Sequence, residues 1–372
     1  MSLNELGKNI LILILNKLEI YDQFKIIFSS KNFIYLFECL NFIPHDIVYY
    51  ASLYGNLNIV KYLENQGHIT NYNDCLACAC SSLGKDFELV KYLVDCGANV
   101  QFNDSEALYN ACIIGDLKIV EFLLECGSDP NSRNNSPIIN ACSYGYIDIV
   151  KLLIKYESII PDNLPLEHAC SYGYIDIVKL LFETIIFTKD SINTACYYAI
   201  MPGHYDIVIE LIKNGADIND HSYNLINAVR TGNLKLVKLL IDNNFDYNVS
   251  CDYLTDYLTE AINNNHVDIV KYFVDLGIYD CEKINNDVYL YYSCKNNNEI
   301  LIKYFIELGS DINCHNSYPL FVAINTGNLS LLHYLIENGA DIISYGYEDI
   351  NNTSNPKKLD MIKILSEYGY IK

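Results

Sequence analysis

Positive charge is what this sequence has least of. Twenty-five Lys and Arg stand against 46 Asp and Glu, a formal net charge of −21. A phosphate backbone would be repelled by such a field, which argues against a nucleic-acid ligand. The one basic pair, Lys357–Lys358, is too small to reverse that. A long apolar run is missing as well. The most apolar stretch, ILILIL from Ile10 to Leu15, is far shorter than the roughly 20 residues that cross a bilayer. No basic segment precedes it and no small-residue cleavage site follows, so it does not read as a secretory leader. A soluble, cytoplasmic protein without membrane contact is expected. Tryptophan is absent altogether. Tyr (33 copies), Asn and Ile are heavily used, which points to AT-rich codons rather than to a function.

Signatures of chemistry are lacking too. There is no phosphate-binding loop, no G-x-S-x-G elbow and no H-E-x-x-H, and the eight His are scattered. The fourteen Cys are spread along the chain, and with no leader expected they read as free thiols in a reducing compartment. The densest set is Cys75, Cys78 and Cys80. A zinc site would need a fourth ligand, and the nearest His is His68. Ala77 and Ala79 lie between them, so small thiols packed in a helix interface are the expectation. No enzyme activity, cofactor or metal is expected.

What the sequence has is repetition. ACSYGYIDIVKLL is written at Ala141–Leu153 and again at Ala169–Leu181. A shorter Ala-x-x-x-Gly pattern recurs at Ala51–Gly55, Ala111–Gly115, Ala141–Gly145, Ala169–Gly173, Ala199–Gly203, Ala228–Gly232 and Ala323–Gly327, with Gly84 in the same series. Asn265, Asn297 and Lys357 fill the place in three weaker copies. The anchors 55, 84, 115, 145, 173, 203, 232, 265, 297, 327 and 357 are 28 to 33 residues apart. Eleven helix–turn–helix units are expected, because such a period is that of a stacked repeat.

In each unit the first helix carries the Ala, where a larger side chain would push a neighbour away. Gly or Asn ends it, since both tolerate the left-handed cap conformation. The second helix has an acid in its first turn (Asp148, Asp176, Asp206, Asp268), facing the positive end of the helix dipole. Its apolar residues form one face, as in Ile149, Val150, Leu152 and Leu153 or Leu236, Val237, Leu239 and Leu240. The Lys of V-K (Lys61, Lys91, Lys151, Lys179, Lys238, Lys271) faces water. A second Gly follows in most units (Gly67, Gly97, Gly127, Gly215, Gly277, Gly309, Gly339, Gly369) and opens a turn such as GADIN. Glu157, Ile185 and Asn244 replace it, so less regular corners are expected there.

The composite pattern A-x-x-x-G-x-x-x-[IL]-V-K-x-L-[ILV]-x-x-G-[AS]-D-[IPV]-N resembles the ankyrin repeat over about residues 48 to 372. The resemblance implies an all-α ankyrin-repeat solenoid, residues 47–372, extending about 100 Å at the usual helix spacing. The family's Thr-Pro-Leu-His is degraded: Pro137, Pro165 and Pro319 remain, but the His is gone, and with it the hydrogen bonds between loops. The short period implies stubby hairpins. In both respects the chain is similar to ankyrin-repeat proteins of giant amoeba-infecting viruses such as mimivirus. The family resemblance implies a monomeric scaffold whose protein partner, a host protein, meets the concave face and the hairpin tips. The two residues before the first-helix Gly would line that face: Leu53 and Tyr54, Ile113 and Ile114, Tyr144 and Tyr172. Phe102, Arg133, His221 and Tyr223 would stand at the tips.

Residues 1–46 do not fit the repeat. Ile14, Leu15 and Leu18, an acid at Asp22, then Ser30, Lys31 and Phe33 are similar to an F-box. That resemblance implies docking on the Skp1 subunit of a cullin ubiquitin ligase through Ile14, Leu15, Leu18, Asp22 and Phe33. The Leu-Pro opening of that family is absent, with Leu3–Asn4 in its place. The alternative is an N-terminal cap, since a repeat stack needs its first apolar face covered.

Overall fold

The structure is a computed structural model, described over residues 47–69, 71–81, 86–158, 163–221, 223–245, 257–277, 287–342 and 355–370. The F-box-like segment and Gly84 lie outside the described residues. Every regular element among the described residues is an α-helix. The chain divides into two compact units, residues 1–195 and 196–372.

In the first unit the helix pairs are α1 (Ile47–Leu53) and α2 (Leu57–Asn65), α3 (Tyr72–Cys80) and α4 (Phe87–Asp95), α5 (Phe102–Ile114) and α6 (Leu117–Glu125), α7 (Ser132–Tyr144) and α8 (Ile147–Lys155), α9 (Leu164–Ser171) and α10 (Ile175–Thr184). The division falls within α11 (Lys189–Ile200). The second unit holds α12 (Tyr205–Lys213), the pairs α13 (Asn224–Thr231) and α14 (Leu234–Asp242), α15 (Tyr257–Asn263) and α16 (Val267–Asp275), α17 (Asp287–Lys295) and α18 (Glu299–Glu307), α19 (Cys314–Thr326) and α20 (Leu329–Glu337), and α21 (Lys358–Glu367). First helices pack on first helices, as α3 on α1, α5 on α3, α7 on α5 and α9 on α7; second helices form their own row, as α4, α6, α8 and α10.

The alanine of each anchor explains the spacing of the stack. Ala51, Ala111, Ala141, Ala169, Ala199, Ala228 and Ala323 are fully buried, as are the thiols of Cys112, Cys142 and Cys170 beside three of them. Second helices bury Ile149, Val150 and Leu153, or Leu236, Val237 and Leu240, each side chain contributing about 1.5–3 kcal/mol. The V-K lysines are exposed as expected, yet some also bridge repeats. In the second unit the ammonium groups of Lys238, Lys271 and Lys303 lie 5.0, 5.7 and 5.1 Å from the ring centres of Tyr272, Tyr304 and Tyr334.

The anchors Gly115, Gly145, Gly173, Gly232 and Gly327, and also Asn265 and Asn297, hold positive φ. Lys357 does not. Its φ is −86°, and it precedes α21 as an N-cap, so the last anchor was misplaced by identity alone. The expected irregular corners divide. Glu157 (φ 58°) and Asn244 (φ 63°) keep the left-handed turn, because their neighbours close the same pair of backbone bonds as a glycine corner does. Only Ile185 departs, extended at φ −134°, ψ 141°: a β-branched residue resists the left-handed well.

The missing His is replaced by other bonds between loops. Backbone N–H groups at Asn99, Asp129, Asp311 and Asp341 donate to Asn73, Ser105, Asp287 and Asn313 at 2.7, 3.1, 2.9 and 2.8 Å. The stubby hairpin is built unexpectedly. Asn103–Asp104–Ser105, Arg133–Asn134–Asn135 and His315–Asn316–Ser317 are three consecutive left-handed residues each, a conformation that costs roughly 1–2 kcal/mol per residue outside Gly, Asn and Asp.

Candidate partner-binding face

At most of the described second helices the residue that precedes the helix does one of two jobs. Asn56, Asp86, Asp116, Asn233, Asn298 and Asn328 accept the N–H three residues on, at 3.0–3.2 Å. Where this place holds Tyr146, Tyr174 or His266, no such cap forms. The ring instead lies over the anchor glycine of the preceding repeat. A Cβ on Gly115, Gly145 or Gly232 would come within 2.3, 2.4 or 2.6 Å of the rings of Tyr146, Tyr174 and His266.

The two tyrosines of the doubled stretch are each backed by a second ring. Tyr144 stacks on Tyr146 with centroids 6.0 Å apart. Tyr172 stacks on His168 at 6.1 Å, and the His168 Nδ1 is held 2.9 Å from Ser143 Oγ on the neighbouring first helix. Tyr144 is 50% exposed and Tyr172 57%. The structure therefore sets both rings, in one register of adjacent repeats, at the surface. Leu53, Tyr54, Ile113 and Ile114 are only half-buried counterparts, and the carbonyls of Ile113 and Ile114 face the Tyr146 hydroxyl at 3.5 Å each.

At the tips, Arg133 is tied down. Its N–H donates to Asp104 Oδ2 (2.7 Å), its Nη2 donates to the Asn103 carbonyl (3.1 Å) and lies 3.7 Å from Glu106, and its guanidinium sits 4.8 Å from the Tyr109 ring centre. In the second unit His221 packs against Tyr197 at 5.1 Å, and Tyr223 is 60% exposed. Phe102 is 37% exposed.

One relation escaped the sequence reading. A first-helix tyrosine receives a tip residue of the next repeat three times: Tyr109 with Arg133, Tyr197 with His221 and Tyr291 with His315, at 4.8, 5.1 and 5.0 Å. The interval is constant, 24 positions in each pair (109 to 133, 197 to 221, 291 to 315). Aligning the tips, rather than the glycines, would have found it. Tyr318 extends the third pair, 5.0 Å from Tyr291 and 5.8 Å from the exposed Phe321.

Cys75 and Cys80 are buried, and burial pushes the thiols of Cys75 and Cys78 up to about 11. They are packed as neutral thiols. Among the described residues no group of three His, Cys, Asp or Glu is placed to hold a metal ion, and no helix is long and apolar enough to cross a membrane.

The family model described as Ankyrin repeats (3 copies) matches residues 75–163, 108–190, 161–222 and 258–345, more than half of the chain. The Putative ankyrin repeat protein FPV223 of fowlpox virus (strain NVSL) is 37% identical over 93 residues, 24% of this chain and 65% of that protein. The Uncharacterized protein L146 of Acanthamoeba polyphaga mimivirus is 26% identical over 108 residues, 27% of this chain and 31% of that protein. The chain thus spans less than two thirds of either relative. A crystal structure of the human ASB11 ankyrin repeat domain is similar at TM-score 0.44 and 22% identity, covering 49% of this chain and 89% of that one.

Proposed function

The chain belongs to the ankyrin-repeat family, and from that premise we propose that it is a non-enzymatic scaffold that grips a host protein through its first-helix face. The observation that carries this is the pair of outward rings, Tyr144 and Tyr172, in one register of neighbouring repeats. Rigid tyrosines give contact area at low entropic cost and concentrate binding energy. Leu53, Tyr54, Ile113 and Ile114 extend the same register, and Tyr223, His221 and Arg133 supply tip contacts or the framework behind them. Similarity to two viral proteins supports an origin in a virus, and hence a partner in the cytoplasm of the infected cell.

The finer reading is a substrate adaptor. Ile14, Leu15, Leu18, Asp22 and Phe33 would hold Skp1 of a cullin ligase while the repeats hold the substrate. Its support is the spacing of those residues. Otherwise residues 1–46 serve only as a cap.

Capture from amoebal lysate with quantitative mass spectrometry tests both. Tyr144→Ala with Tyr172→Ala should lose the substrate-like partner and keep Skp1. Leu15→Asp with Leu18→Asp should lose Skp1 and cullin and keep the other partner. Capture of every protein unchanged by the tyrosine pair would sink the face reading. Absence of Skp1 from the wild-type eluate would leave a bare scaffold.

A further inference from the structure

We infer that His168 determines specificity on the tyrosine face: its ring is held with the hydrogen on Nδ1, and its bare Nε2 accepts a hydrogen bond from an N–H or O–H group of the protein partner. This deepens the scaffold reading and rests on it.

The heavy atoms place the hydrogen. Ser143 Oγ lies 2.7 Å from the Ile139 carbonyl oxygen, one turn back in α7, and 2.9 Å from His168 Nδ1 of α9. A hydroxyl has a single hydrogen to donate, and a carbonyl oxygen can only accept. Two oxygens 2.7 Å apart stand at the usual O–H···O distance. The Ser143 hydrogen therefore lies between them, since without it their lone pairs would repel. Ser143 then turns a lone pair towards the imidazole. Nδ1 must carry the hydrogen and donate, and 2.9 Å is the usual N–H···O length. The register agrees. Asn110 holds the same place in its own repeat, five residues before the anchor glycine. Its Nδ2 likewise donates to the preceding first helix, to the Ala77 carbonyl at 3.0 Å.

With Nδ1 protonated, a neutral ring leaves Nε2 as a bare acceptor. Burial lowers the His168 pKa, which keeps the ring neutral at neutral pH. Among the described residues nothing donates to Nε2, and the atom is not buried. The ring is fixed twice over, by Ser143 at Nδ1 and by Tyr172, whose plane lies 28° from its own at a centroid distance of 6.1 Å. Tyr172 is one of the two outward rings of the face. The acceptor is thus oriented before any partner arrives, which spares the ordering cost of binding. A lone pair selects its ligand. A partner amide, hydroxyl, indole or basic side chain supplies the hydrogen, whereas a carboxylate or phosphate has none to give and meets a net charge of −21.

The test uses the full chain. Long-range proton–nitrogen correlation NMR at neutral pH, with histidine nitrogens labelled and His168→Gln for assignment, should show Nδ1 protonated and Nε2 unprotonated. A hydrogen on Nε2 would overturn the inference at its root. The partner contact is read with diethylpyrocarbonate, which acylates the unprotonated imidazole nitrogen. Peptide mass spectrometry should find His168 modified in the free chain and protected in the chain loaded from amoebal lysate. Unchanged modification on loading would count against the contact. His168→Leu should weaken capture of the substrate-like partner about fivefold or more, the effect of one unpaired donor. His168→Gln can set its amide oxygen near the place of Nε2 and should stay within about twofold of the wild type. Equal capture by the Leu and Gln variants would sink the acceptor role. If capture depends on Tyr144→Ala with Tyr172→Ala while His168→Leu leaves it intact, the scaffold reading stands and this inference fails alone. Circular dichroism of each variant excludes unfolding as the cause.

Discussion

Gly145→Ala and Gly127→Ala look alike in sequence, since each replaces a recurring corner glycine of positive φ (78° and 92°). The structure separates them. A Cβ at Gly127 meets nothing within 4 Å, so its cost is the left-handed backbone alone, about 1 kcal/mol. A Cβ at Gly145 falls 2.4 Å from Tyr174 Cε1, 2.7 Å from Cζ and 2.8 Å from Cδ1. These atoms belong to a half-buried ring that packs across the repeat interface, so the ring must move. Overpacking of that kind adds about 1–3 kcal/mol, for a total near 2–4 kcal/mol. Urea unfolding of the full chain, followed by helical circular dichroism, should rank the two variants in that order. Tyr174→Ala removes the obstacle. The double variant Gly145→Ala with Tyr174→Ala should therefore cost at least about 1 kcal/mol less than the sum of the single changes. Equal destabilisation by the two alanines, or additive behaviour with Tyr174→Ala, would refute the idea that the next repeat's ring demands glycine here.

The Glu299 carboxylate accepts from Lys303 Nζ (2.6 Å), Asn328 Nδ2 (2.7 Å) and Ser330 Oγ (2.8 Å), and these contacts, Lys303 first, hold its pKa down to about 2. With an unfolded value of about 4.3, its stabilisation is complete above that pH and is lost as pH falls towards 2. Because the side chain is 30% exposed, the effect is about 1 kcal/mol after screening, and Glu299→Gln should flatten the unfolding midpoint between pH 5 and 2 by that much. Glu157→Gly should stabilise by about 0.5–1 kcal/mol in urea, because Glu157 is held at φ 58°. Ile185→Gly should instead destabilise, because that residue is extended. Asn233→Asp keeps the cap on Leu236 but loses the Nδ2 donor to the Gly203 carbonyl; a loss of about 1 kcal/mol in thermal unfolding is expected.

Much of the fold was legible because it depends on residue size and local backbone preference. Buried Ala141 and Cys142, and the face of Ile149, Val150 and Leu153, follow from spacing alone. So do the left-handed anchors at Gly, Asn265 and Asn297. Lys357 departs from the series because lysine has no left-handed preference; at φ −86° it precedes the last helix instead. Glu157 went the other way: its helix closes the corner with bonds from Glu157 N to Ile154 O and from Ser158 N to Leu153 O, and backbone geometry overrode side-chain preference. The tip triplets were illegible for a different cause. Arg133 and His315, in left-handed places, lie against Tyr109 and Tyr291 of the preceding repeat, a pairing that no window within one repeat contains.

The same logic explains why one position tolerates Asn, Asp, Tyr and His. The residue before each second helix has two unsatisfied neighbours: the exposed N–H groups of its own helix, and the anchor turn of the preceding repeat. Asn serves both, because an amide accepts through oxygen and donates through nitrogen: Asn233 accepts from Leu236 N–H and donates to Gly203 O. Asp116 can only accept. Tyr146 and His266 abandon the cap and reach backward, His266 Nε2 lying 3.1 Å from the Arg230 carbonyl. Choosing a ring gives up about 1 kcal/mol of capping and gains cross-repeat packing, and it forces glycine on the repeat before. The ring-bearing repeats of the first unit are those with the outward Tyr144 and Tyr172. Tyr146, beneath Tyr144, shows what the exchange yields: an outward ring seated on a second ring, which lies over a glycine where a Cβ would collide with it.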